Sequence, residues 1–90
     1  MDRERGQIRF QEIPHSKPIQ RFVAKKLQTW MKRFLTREKI ESYTVEFNRS
    51  DSKDLVGCHI EITANGQQWK SSHYGRGIHQ AFSQCLKNIA

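Results

Sequence analysis

Hydrophobic positions along this chain follow two different periods. From Pro18 to Arg37, PIQRFVAKKLQTWMKRFLTR, a pitch of about 100° per residue puts Ile19, Phe22, Val23, Leu27, Trp30, Met31 and Phe34 on one side. That stripe predicts an amphipathic helix ending around Thr36 to Glu38. In the preceding HSKP, Ser16 is placed to cap the first turn, and Pro18 suits the first helical position, where no amide donor is needed. A second stripe of Ile78, Ala81, Phe82, Cys85, Leu86 and Ile89 predicts another helix over Ile78 to Ile89, entered through the break Gly75-Arg76-Gly77.

Elsewhere the period drops to two, as half-buried strands require. Gln7 to Ile13 alternates, with Ile8 and Phe10 on one face and Arg9 and Gln11 on the other, and Pro14 closes it. Ser42 to Asn48 puts Tyr43, Val45 and Phe47 together, and a polar turn, NRSDSKD, follows from Asn48 to Asp54. Val56 to Ala64 turns Cys58, Ile60 and Ile62 inward and His59, Glu61 and Thr63 outward. Asn65-Gly66 then marks a hairpin, because both central positions of a type I′ turn need positive φ. Gln67 to Tyr74 is the return strand, and its pattern leaves two faces open as the buried one: Trp69, Ser71 and His73, or Gln68, Lys70, Ser72 and Tyr74.

The resulting order, β-α-β-β-β-α, predicts an α+β two-layer sandwich. Its four-stranded sheet is mostly antiparallel and carries both helices on one face, leaving the other to water. A right-handed crossover makes the first and second strands parallel neighbours if they are adjacent. The open face would carry Arg9, Thr44, Glu46, His59, Glu61 and Thr63, a mixture of charges.

Ninety residues can bury one core, so a single domain spanning residues 1–90 is expected, with residues 1–6 as a frayed leader. No run of 18 apolar residues exists to span a membrane, and MDRERGQIRF lacks the apolar middle of a secretory signal, which makes the expected location cytoplasmic. Sixteen Lys and Arg against nine Asp and Glu give a net charge of +7. The distribution matters more than the sum. Residues 14–37 hold seven basic side chains and no acid, with Arg21, Lys25 and Lys32 opposite the apolar stripe and Lys26 and Arg33 at its margin. A solvated helix face ordinarily mixes signs at i, i+4, whereas this one is purely cationic and suits a polyanionic partner. Membrane-surface binding would need the apolar face free, and the strands need that same face for a core.

Other chemistry is poorly supported. The four histidines, His15, His59, His73 and His79, have no Ser, Cys or Asp placed to complete a catalytic triad, so no catalytic residue is assigned and the protein is expected not to be an enzyme. His73, His79 and Cys85 lack the spacing of a zinc site, so neither metal nor cofactor is expected. Cys58 and Cys85 fall at apolar phases and read as small buried hydrophobes. Gly75-Arg76-Gly77 is a fragment of a phosphate-cradling loop without the rest of one, although Arg76 could touch a phosphate. Of Trp69 and Tyr74, on opposite faces of the last strand, one is expected to be buried and the other exposed near this turn.

The element order, together with IRFQEIPHSKPIQRFVAKKLQTWMKRF and CHIEITANGQQWKSSHYGRGIHQAFSQCLKNI, resembles the short ribosome hibernation-promoting factors, also called ribosome-associated inhibitors. The resemblance implies binding to the small ribosomal subunit, inhibition of translation, and contact with ribosomal RNA phosphates by Arg21, Lys25, Lys26, Lys32, Arg33 and Arg37. It implies added contacts from Arg76 and Lys87, a monomer off the ribosome, and no small-molecule substrate. HIEITANGQQWKSSHYGRGIHQAF also resembles the end of a double-stranded RNA-binding domain, but Gly77-Ile78-His79-Gln80 stands where that domain carries its lysine cluster, which ranks this alternative second. A third alternative is a regulator that docks an acidic protein surface through the same helix.

Overall fold

The computed structural model describes residues 6–34, 40–49 and 55–89. Strand β1 (Gly6–Gln11) leads into helix α1 (Lys17–Phe34), then β2 (Ile40–Arg49), β3 (Val56–Ala64), β4 (Gln67–Gly75) and helix α2 (Ile78–Lys87). The sheet order is β1-β2-β3-β4, with β1 parallel to β2 and the other pairs antiparallel. This is the expected β-α-β-β-β-α sandwich, including the parallel first pair that a crossover through α1 allows.

Local chemistry sets the boundaries. Strand β1 stops two residues short of Ile13 because Glu12 takes a left-handed φ of 59°, which a strand cannot continue. Ser16 caps α1 as expected: its Oγ accepts from the Ile19 amide at 3.4 Å and its carbonyl from the Gln20 amide at 2.9 Å. The helix opens at Lys17, so Pro18 is its second residue and not its first; the amide it lacks is still one that would have no intrahelical acceptor. Gly6, the last residue of the expected leader, instead opens β1, and Asn48 and Arg49, the start of the expected turn, instead extend β2; the rest of that leader and turn, and the expected helix end at residues 36–38, lie outside the described residues. Asn65 and Gly66 adopt φ of 52° and 76°, the two positive values of the expected turn. The Glu41 carboxylate accepts the Gly66 amide at 3.1 Å and ties this turn back to β2. Helix α2 ends at Lys87, two residues early, where the Asn88 amide is shared between the Gln84 and Cys85 carbonyls; Ile89 is nonetheless buried.

Register turns the period-two pattern into rows across the sheet. Ile8, Val45, Ile60 and Ser71 form one helix-facing row, and Phe10, Phe47, Cys58 and His73 the next. The ambiguity of β4 is thereby resolved: Trp69, Ser71 and His73 face the helices, and Tyr74 faces outward at 60% exposure. Val23, Leu27 and Met31 of α1 and Ala81, Phe82 and Cys85 of α2 complete the core. Ile19, Phe22 and Trp30 are only half-buried, so the stripe read along α1 is wider than the strip that the sheet covers. Complete burial of side chains such as Phe47, Phe82 and Leu27 contributes about 1.5–3 kcal/mol each.

The one buried polar side chain among the described residues is satisfied. Ser71 Oγ donates to the Cys85 carbonyl at 2.8 Å, and Cys85 Sγ donates in return to the Ser71 carbonyl at 3.2 Å. This reciprocal latch holds α2 to β4 and lets a strand position ordinarily filled by an aliphatic residue be serine. Cys58 and Cys85 are both free and buried, as expected. The hydrogen bond with Cys85 and burial push the Cys58 thiol far up, so it stays protonated as a packing group.

On the open face His59 Nδ1 lies 2.6 Å from Ser72 Oγ and its Nε2 lies 2.7 Å from Glu61. The hydrogen bond from His59 holds the Glu61 carboxyl below its ordinary 4.5 against a smaller opposing effect of burial, and the charges of His59 and Lys70 add to the lowering. Arg9 reaches the Gln7 amide oxygen at 2.7 Å. The face is mixed in charge, as expected.

Two predictions follow from the packing and one from this ion pair. A Cβ at Gly75 would lie 2.5 Å from the Ala81 backbone nitrogen, so Gly75→Ala is expected to cost about 1–3 kcal/mol in urea unfolding. Gly77, which caps α2 in extended backbone with open space around it, is different: Gly77→Ser should add a cap hydrogen bond and gain about 0.3 kcal/mol. Because Glu61 titrates lower in the folded chain, its contribution is present above pH 4.5 and fades as pH falls through the folded value. The stability gap between the wild type and Glu61→Gln, small because the pair is exposed, should therefore close below that pH in thermal unfolding.

Candidate nucleic-acid interface

Burying Val23, Leu27 and Met31 fixes the rotation of α1 and hence what it shows to solvent. Arg21, Lys25, Lys26, Lys32 and Arg33 are all exposed. At 100° per residue Arg21, Lys25 and Lys32 fall within about 40° of one another around the helix, and Arg21 and Lys32 stand roughly 16 Å apart along it. The described length of α1 has no acid and six cations: Arg21, Lys25 and Lys32 line up on one ridge, Lys17 extends it from the first turn, and Lys26 and Arg33 flank it. Arg37 lies outside the described residues.

The flank is shaped by packing between the helices. Lys26 Nζ sits 5.9 Å from the Phe22 ring centroid, so its stem runs over apolar surface while the ammonium stays in water. The other side of Phe22 meets the His79 ring edge-on, with centroids 4.5 Å apart, and Phe22 also contacts Phe82 at 6.3 Å. His79 thus joins the start of α2 to the cationic side of α1. In the sequence His79 stands outside the apolar stripe of the second helix and completes neither a triad nor a zinc site; only the packing of α2 beside Phe22 reveals the connection.

The two site residues expected around the second helix do not form one cluster. Arg76 is exposed in the turn before α2, where its backbone amide donates to Gln80 Oε1 at 2.6 Å. Lys87 is exposed in the last turn, roughly 15 Å further along the axis. The α2 surface between them is His79, Gln80, Ser83 and Gln84, polar and uncharged apart from histidine. Among the described residues the continuous cationic surface therefore lies on α1, with Arg76 and Lys87 as separated outposts. No group of three or more His, Cys, Asp or Glu among the described residues could hold a metal ion.

Such a surface can contact phosphates through lysine and arginine heads and can follow the spacing of a nucleic-acid backbone, but it carries little that would read base sequence. No helix among the described residues is long and apolar enough to cross a membrane.

No protein-family pattern matches the chain, and no curated protein sequence does. Solved structures do match in shape. The N-terminal domain of Thermus thermophilus Protein Y superposes with a TM-score of 0.76 at 12% identity, over 90% of this chain and 84% of that one. A ribosomal subunit interface protein from Coxiella burnetii superposes with a TM-score of 0.71 at 13% identity, over 91% of this chain and 85% of that one. At these identities the similarity is one of fold, and the chain has the β-α-β-β-β-α architecture of both structures.

Proposed function

We propose that this chain is a non-enzymatic ribosome-binding protein of the hibernation-factor type, which inhibits translation by occupying structured RNA of the small subunit. The observation that carries the reading is the acid-free cationic face of α1, exposed on a fold similar to that of a ribosomal subunit interface protein. Arg21, Lys25 and Lys32 would make the central phosphate contacts, Lys26 and Arg33 the flanking ones, and Arg37, Arg76 and Lys87 the outlying ones. Affinity would come from charge and shape, so the partner would be recognised as a folded RNA surface with little base readout. The first helix would bear most of the contact, because α2 contributes little charge between Arg76 and Lys87. Action in the cytoplasm as a monomer away from the ribosome belongs to the same reading.

Binding should weaken steeply with salt. Three to five phosphate contacts correspond to a slope of roughly −2 to −4 in a plot of log affinity against log salt, measured by co-sedimentation with small subunits. A flat dependence would sink the proposal, and capture that survives RNase treatment would favour an acidic protein partner. The double substitution Lys25→Glu with Lys32→Glu should abolish co-sedimentation while changing unfolding free energy by less than about 0.5 kcal/mol, since both side chains are exposed. A variant that binds like the wild type would move the interface off α1.

A further inference from the structure

The sheet face turned away from the helices carries a feature that the cationic ridge does not use. Gln11, Asn48, Gly57 and Tyr74 form one row across all four strands, because Gln11 pairs with Asn48, Asn48 with Gly57 and Gly57 with Tyr74. Gly57 leaves a gap in this row, and its neighbours close over it from both sides. A Cβ there would lie 3.1 Å from Tyr74 Cε1 and 2.6 Å from Asn48 Oδ1. The Tyr74 ring therefore leans across the glycine and does not stand up from the sheet, which supports one side of it and leaves the residue 60% exposed.

We propose that Tyr74 is a stacking platform for one unpaired nucleobase of a single-stranded RNA segment, on the opposite side of the molecule from α1. Stacking suits any base because each has a π-face, and a ring already supported from below loses little freedom when a base covers it. The amide of Asn48, which leans toward the same glycine from the other side, offers both a donor and an acceptor to a base edge. Arg76, exposed in the turn two residues after Tyr74, supplies a cation for a flanking phosphate. Glu46, the acid in the next row of the same face, is paired across the strands with Arg9, which offsets its charge.

A protein partner fits this place less well. Tyr74 is the only large hydrophobic residue exposed among the described residues, and the row beside it is polar, so no apolar patch accompanies it to form the core of a protein interface. A polar row with one ring gives a protein little to bury, whereas a base needs only the face of the ring and a hydrogen-bonding edge.

The test compares two fluorescein-labelled octamers with the same backbone at low ionic strength: oligoadenylate, and an abasic strand that keeps the phosphates and lacks the bases. Fluorescence anisotropy should show the wild type binding oligoadenylate about 5- to 100-fold more tightly than the abasic strand. Tyr74→Ala should bring that ratio to about one, while Tyr74→Phe and Tyr74→Trp keep it. Lys25→Glu with Lys32→Glu, on the far side of the molecule, should leave the base-dependent preference for oligoadenylate in place, which separates this site from the role proposed for α1. Equal binding of the two octamers by the wild type, no binding of either, or a Tyr74→Ala variant that keeps the ratio would overturn the proposal. A Tyr74→Phe variant that loses the ratio as alanine does would also overturn it, because a stacking platform does not need the hydroxyl.

Discussion

The structure depends most on the packing around Phe82. This ring is fully buried on α2, lies 6.3 Å from Phe47 of the sheet and 6.3 Å from Phe22 of α1, and Phe47 in turn stacks on Phe10 at 5.6 Å. Four rings on four elements thus form one continuous contact from the β1 edge to the outer side of α1. In a chain of this size a single core must do all the stabilising, and edge-to-face aromatic contacts of this kind add about 0.5–1.5 kcal/mol each beyond the area they bury. The Ser71–Cys85 latch and the close approach of Gly75 to Ala81 bring α2 near enough for Phe82 to reach that position.

That constraint also organises the charge. With Val23, Leu27 and Met31 turned to the sheet, the cations of α1 have no direction left but outward, and the absence of acid on the helix leaves their field uncompensated locally. The opposite side of the molecule is different in kind. There Arg9 and Lys70 are offset by Glu46 and Glu61, and Arg9, His59 and Glu61 have hydrogen-bond partners among their own neighbours. The described residues therefore present a cationic helix side and a sheet side of balanced charge, and the first of these favours a polyanion. Structures with the same architecture include a ribosomal subunit interface protein, which makes this two-sidedness the feature to follow when their surfaces are compared.

Much of the fold was legible residue by residue. The helical stripe of α1, the alternation of β3 and the Asn65-Gly66 turn were readable because each is a local pattern: one face must be apolar to be buried, and only certain residues accept positive φ. The boundaries that moved did so for reasons outside such patterns. Glu12 entered left-handed space, and Ile89 stayed buried after α2 had ended. Strand β4 was ambiguous because its buried face is Trp69, Ser71 and His73, and Ser71 is acceptable there only through hydrogen bonds to a residue fourteen positions away.

By itself the sequence determined the element order, the two-layer sandwich, the single core and the cationic face of α1, since these follow from periodicity and composition carried by adjacent residues. Tertiary structure alone decided which side of β4 is buried, that Arg76 and Lys87 stand apart, that His79 meets Phe22, and that Tyr74 leans over Gly57. Each of these last is a relation between residues on different elements, or along a helix once its ends are known. Such distances come from register and packing, which no local period encodes.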